Sequence, residues 1–198
     1  MENLVNLKER IIQESLKLFS LKGFLSTSIQ DIMREANTSK GGLYNHFKNK
    51  DQIFFAVLSE ARKIWRQKNL KGLDQIEKPV EKVKKLLANY RDNYLKDTKN
   101  FPGGCVFVTL SVELDDQRPD FSKELKEGFV RLKAMIKRYL DQGKGSGELR
   151  PEVDTDSVTE MIFSGMLGAS VIYGAEKSPE SLDGCINSLI DYLESLKA

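Results

Sequence analysis

Apolar residues recur at three- and four-residue intervals along almost the whole chain, which is the period of helices that bury one side. From Leu4 to Lys22 the stripe is Leu7, Ile11, Ser15, Leu18 and Phe19, and Gly23 follows a basic last turn as a stop. Ile29, Ile32 and Ala36 give a short second helix its inner side, with Thr27 or Ser28 and the acid Asp31 as its starting cap. Asn37-Thr38-Ser39 reads as a tight turn, and Leu43 and Phe47, four apart, anchor a third helix. What remains outside is a short face of hydrogen-bond donors and small residues: Ser39, Lys40, Gly41, Gly42, Tyr44, Asn45 and His46. Such a face can come close to phosphates and base edges.

A fourth helix is expected from Asp51 to about Gly72 through Phe54, Phe55, Val57, Leu58, Ala61, Ile64 and Trp65. A fifth runs from Pro79 to about Lys96 with Val83, Leu86, Leu87, Tyr90 and Tyr94 inward. Phe101-Pro-Gly-Gly104 interrupts it. The segment Cys105–Val112 is rich in β-branched residues and reads by propensity alone as a buried strand, yet a lone strand among helices has no pairing partner. Pro119 to about Lys144 is a long amphipathic helix ended by the Gly143–Gly147 turn. Helices from about Asp154 to Gly174 and from Pro179 to Leu196 follow, and the first of these is apolar or small around most of its surface, so it needs cover on more than one side.

The chain has 198 residues, 40% of them apolar and five of them proline, which suits an ordered globular protein. No apolar run approaches the roughly 20 residues of a membrane span, and the amino terminus lacks a basic segment followed by an apolar core, so a cytoplasmic protein without a membrane partner is expected. Cys105 and Cys185 have no metal-type spacing and His46 is the single histidine, so neither a metal nor another cofactor is expected. The net charge of +2 says little, but its distribution says more. Residues 1–71 carry thirteen Lys and Arg against seven Asp and Glu, a balance of +6, and residues 72–198 carry eighteen against twenty-two, a balance of −4. Positive charge gathered on the segment with the exposed donor face is the footprint of nucleic-acid binding.

Residues 11–50 closely resemble the DNA-binding head of the tetracycline-repressor (TetR) family of bacterial regulators. The resemblance rests on Ile11, Leu18, Phe19, Gly23, Phe24, Thr27, Ile29, Ile32, Ala36, Ser39, Lys40, Gly41, Leu43, Tyr44, His46, Phe47, Lys48 and Lys50. Asn37, Thr38 and Gly42 depart from the family pattern; Asn tolerates the left-handed backbone that the turn needs. The resemblance implies an all-α fold, with a three-helix helix-turn-helix head at residues 1–50 and a larger helical ligand-binding and dimerisation domain at 51–198. It places a short buried helix where propensity reads a strand. It also implies phosphate contacts from Thr27, Ser39, Tyr44, His46 and Lys50, with Lys40, Gly41, Gly42 and Asn45 facing base edges.

For the larger domain, Trp65, Tyr90, Tyr94, Phe101, Phe107, Phe163, Met166 and Tyr173 are candidate ligand contacts, although aromatic and Met stripes also serve as plain core. A small hydrophobic or amphipathic effector is the implied partner, besides double-stranded DNA and a second copy of the chain. Ile162, Gly165, Ala169 and Ile172, with Leu182, Ile186, Leu189, Ile190 and Leu193, are the expected dimer face. Glu113 stands out as a polar candidate, with capping as its plain alternative. Cys105 has no basic neighbour in sequence to activate it. A small helical enzyme, or a DNA-binding dimer without an effector, are the competing readings; the first would need an acid–base or nucleophilic set that one histidine and scattered carboxylates do not supply.

Overall fold

The computed structural model describes residues 6–198, and among them every regular element is helical. The helices are α1 Leu7–Lys22, α2 Ile29–Glu35, α3 Lys40–Tyr44, α4 Lys50–Asn69, α5 Pro79–Asn89, α6 Val106–Leu114, α7 Pro119–Gly145, α8 Thr155–Glu176 and α9 Pro179–Ser195. The start expected for α1 at Leu4 lies outside the described residues; the described helix begins after Asn6, whose side chain accepts from Lys8 N. Gly23 ends α1 at φ 79, a conformation that favours glycine. Ser28 and Asp31 form a reciprocal cap on α2, and Asn37 takes up the left-handed turn at φ 44.

The helix expected over Pro79–Lys96 changes character half-way. Tyr90–Leu95 is a π-helical segment, whose wider turn stacks Tyr90 on Tyr94 with centroids 5.6 Å apart. The β-branched segment is indeed helical. In α6, Val106, Leu110 and Leu114 lie four apart and are fully buried, so packing against α1, α7 and α8 overrides β-propensity.

Head and body are not separate in their packing. Phe24 of the head meets Phe54 and Phe121 edge-on at 5.4 and 5.2 Å, and Phe54 and Phe121 stack at 3.9 Å. Arg118 covers Phe121 and pairs with Asp51 and Asp120. A boundary at residue 50 therefore separates two sets of helices that share one hydrophobic core.

At the other end, α8 and α9 pack as a close antiparallel pair. A Cβ on Gly165 would lie 2.7 Å from a Leu189 methyl, so glycine sets the approach. α8 departs from the expectation about membrane spans: an 18-residue window of mean hydropathy 1.3 makes it long and apolar enough by length and composition alone. In the fold its inner side packs on α7, α6 and α9.

Candidate nucleic-acid interface and effector cavity

The donor face depends on a short helix held by its surroundings. α3 has five residues, too few to be stable alone. Ser39 caps it by accepting from Gly42 N, and Leu43 and Phe47 bury its inner side. Arg10, which sequence reasoning passed over, braces the turn from α1: its Nε donates to Ala36 O at 2.8 Å and its Nη2 to Asn37 O at 3.5 Å. Asp31 is held well below the usual carboxylate range, first by its hydrogen bond from Lys22 and then by Ser28. These contacts leave Ser39, Lys40, Gly41, Tyr44, Asn45 and His46 exposed together, with Lys48 alongside.

Three residues expected on that face do other work. Thr27 is fully buried, with its hydroxyl donating to Gly23 O at 2.6 Å, so it braces the α1–α2 loop and does not reach a phosphate. Gly42 points inward, where a Cβ would overlap the Thr38 hydroxyl and touch Leu7; Gly41 is the open one. Lys50 donates to Thr27 O at 2.6 Å and lies 4.1 Å over the Phe24 ring, and burial pushes its pKa down. Its ammonium holds the loop instead of pointing to solvent.

Glu113 is a polar tie between body and head. From the last turn of α6 its carboxylate accepts Phe24 N at 2.7 Å and Leu25 N at 2.9 Å, and it occupies the space where a Cβ on Gly23 would sit. A carboxylate near the C-terminus of its own helix opposes the helix dipole, and the two backbone donors offset that. The other end of α6 is fixed too. Ser20 Oγ donates to Gly104 O and accepts from Gly103 N, both at 3.0 Å, and a Cβ on Gly103 would overlap the Ser20 carbonyl.

The body encloses a cavity of about 430 Å³ between α4, the π-helical segment, α6, α7 and α8. Trp65, Tyr90, Phe107, Phe163 and Met166 line it as expected. Tyr94, Phe101 and Tyr173 do not. Tyr94 is buried beneath the cavity between Tyr90 and Phe101, with its hydroxyl 3.4 Å from Cys105 Sγ, and Tyr173 lies two turns of α8 beyond Met166. Burial pushes the hydroxyls of Tyr90 and Tyr94 up, and it raises the Cys105 thiol, which lines the cavity in its protonated form. Sequence reasoning missed Arg62, Arg66, Glu124 and Arg131 in the wall; the i, i+4 spacing of Arg62 and Arg66 beside Trp65 was the available signal.

The expected dimer face is mostly spent inside the chain. Ile162, Ala169, Leu182, Ile186 and Leu193 are buried in the core, and Gly165 serves the α8–α9 contact with Leu189, while Ile190 is half-buried against the core. Only Ile172 is exposed, with Met161 and Val171 on the same outer stripe of α8. Apolar periodicity marks a buried side without saying what buries it, and here the chain's own helices do.

A short trihelical head with a donor face, continuous with a helical body around a cavity, is the architecture of a helix-turn-helix DNA-binding regulator. Residues 11–57 match the family model for bacterial regulatory proteins of the tetR family, and residues 79–189 match that for the tetracyclin repressor-like C-terminal domain. The chain is 34% identical to the HTH-type transcriptional regulator of the lacX 3′ region of Lactococcus lactis, over 70% of each chain. A TetR transcriptional regulator from Chloroflexus aurantiacus superposes with a TM-score of 0.88 at 27% identity, over 96% of both chains. The regulator CifR, solved with 26-bp double-strand operator DNA, superposes at 0.82 with 17% identity over 96% of this chain and 98% of its own, which shows the shared fold. The chain belongs to the TetR family and is a DNA-binding transcriptional regulator.

Proposed function

We propose that this chain is a cytoplasmic repressor that binds a pseudo-palindromic operator as a homodimer and is released by a small apolar or amphipathic molecule in the 430 Å³ cavity. The observation that carries this reading is the anchoring of α6. Its first turn helps wall the cavity through Phe107, and its last turn holds the head through Glu113. An occupant that prefers a different position of α6 therefore acts on the head's orientation. Each tenfold loss of operator affinity requires about 1.4 kcal/mol of differential binding between the two positions.

On DNA, Ser39, Tyr44, His46 and Lys48 hold phosphates, and Lys40 and Asn45 read base edges while Gly41 lets the backbone approach. Two heads sit in successive major grooves about 34–36 Å apart. The second copy packs on the outer stripe of α8, Met161, Gly168, Val171 and Ile172, where an added Cβ on Gly168 would meet nothing among the described residues. The relatives' role as regulators supports a protein that performs no catalysis of its own.

The test is selection of bound duplexes from a random pool, followed by titration of the selected operator at several salt concentrations and sedimentation of the free protein. A palindromic consensus, steep salt dependence and a dimer that Val171→Glu splits are expected. A monomer that ignores every duplex at low ionic strength sinks the proposal.

A further inference from the structure

We infer that the effector is an organic anion with an apolar body, a medium-chain carboxylate in its simplest form; this rests on the ligand-released reading above and names its chemistry. The cavity is polarised from mouth to floor. Its depth is buried and apolar, with Phe163 and Met166 on α8. Its exposed lining is on α4 and α7, where Arg62, Arg66 and Arg131 share the wall with one carboxylate, Glu124. Gly128 lines the cavity beside them, and a Cβ there would meet nothing among the described residues, which leaves room for a head group.

The arginines are unequally committed. Arg62 donates to the Glu124 carboxylate at 3.1 Å and to its backbone carbonyl at 2.7 Å. Arg131 reaches Glu127 only at 3.5 Å, and Arg66 makes no ion pair among the described residues. Two guanidiniums thus remain for an incoming anion, in the planar geometry that suits a carboxylate. A neutral oxygen accepts only weaker hydrogen bonds from them than a carboxylate does, and a cation is repelled.

Arg62 also gives the anion a route to the head. It lies on α4, which leaves the head, and Glu124 ties it to α7. A carboxylate that competes for Arg62 loosens this tie, so Glu124 is the internal rival of the effector.

Calorimetric titration of the full chain with decanoate, decan-1-ol and decylamine tests the inference. Decanoate is expected to bind about tenfold or more tighter than the alcohol, the effect of one charge-assisted hydrogen bond or two, with the amine weakest. The double variant R66Q/R131Q, checked for an unchanged circular dichroism melt, should lose that preference and keep its affinity for the alcohol. Glu124→Gln should strengthen decanoate binding severalfold. Absence of decanoate binding, an alcohol that binds as well, or a preference that survives the double variant overturns the inference. Operator release is measured separately: an anion that binds selectively but leaves DNA bound defeats the release mechanism and leaves the site's chemistry standing, whereas release by the alcohol alone does the reverse.

Discussion

The α3 surface and the body cavity are built by opposite means. α3 is five residues held mainly by neighbours close in sequence, Ser39, Leu43 and Phe47, with Arg10 of α1 bracing the turn before it, and its exposed side chains follow one another along the chain. The cavity joins residues from 62 to 167, carried by five elements. A local surface can be moved only as a rigid whole, while a wall assembled from many helices can shift one helix against another. The difference separates the part that recognises from the part that responds, and Phe24, Phe54 and Phe121 join the two.

That join gives the largest expected effect. Phe121 is fully buried in contact with both regions, so Phe121→Ala should destabilise by about 3–5 kcal/mol. Denaturant unfolding followed by circular dichroism and by Trp65 fluorescence should give coincident transitions in both proteins, because one core spans head and body. Two separated transitions in the unaltered chain would break the claim that they fold as a unit.

Next comes Glu113, which ties α6 to the head without contributing to the shared core. Glu113→Gln keeps the size and weakens the acceptor for Phe24 N and Leu25 N, with an expected loss of about 1–2 kcal/mol. If it also relays the cavity to the head, the variant retains effector binding by calorimetry while the effector's influence on operator affinity falls. Loss of both together would reduce Glu113 to a structural cap.

The contrast also explains what could be read from the sequence. Helix ends, the α2 cap and the left-handed Asn37 were legible because they depend on residues within a few positions of one another. The inward turn of Lys50 was not, since it reaches Thr27 O from twenty-three positions away, on a loop that Glu113 holds from about ninety. Five cavity residues were legible as aromatic or Met stripes. The arginines at its mouth were missed because a charge on an amphipathic helix usually marks a solvated face. Part of the stripe expected to face a second copy is core for a related reason: Ile162 and Ile186 have the spacing of an interface and the surroundings of a core.

Two lysines that follow α3 give a smaller effect and a sharper distinction. Lys48 is exposed beside the donor face, while Lys50 is tied to Thr27 O. Lys48→Ala should flatten the slope of log affinity against log salt by about 0.9, the share of one phosphate contact. Lys50→Met should leave the slope unchanged and lower the head's stability. Equal slopes for the two variants would return Lys50 to the interface.

Asn37 gives the smallest effect and tests the turn itself. At φ 44 a residue with a Cβ is strained, by about 1–2 kcal/mol for most residues and less for Asn. Glycine removes that strain, but it adds unfolded-state freedom worth about 0.4–1 kcal/mol. The two nearly cancel, so Asn37→Gly should change stability by less than about 0.5 kcal/mol. Arg10 holds the carbonyl of residue 37 and not its side chain, so the brace survives the substitution. Because the turn's geometry is then kept, any loss of operator affinity at unchanged stability would come from the Asn37 amide itself. That outcome would extend the recognition surface back from α3 into the turn.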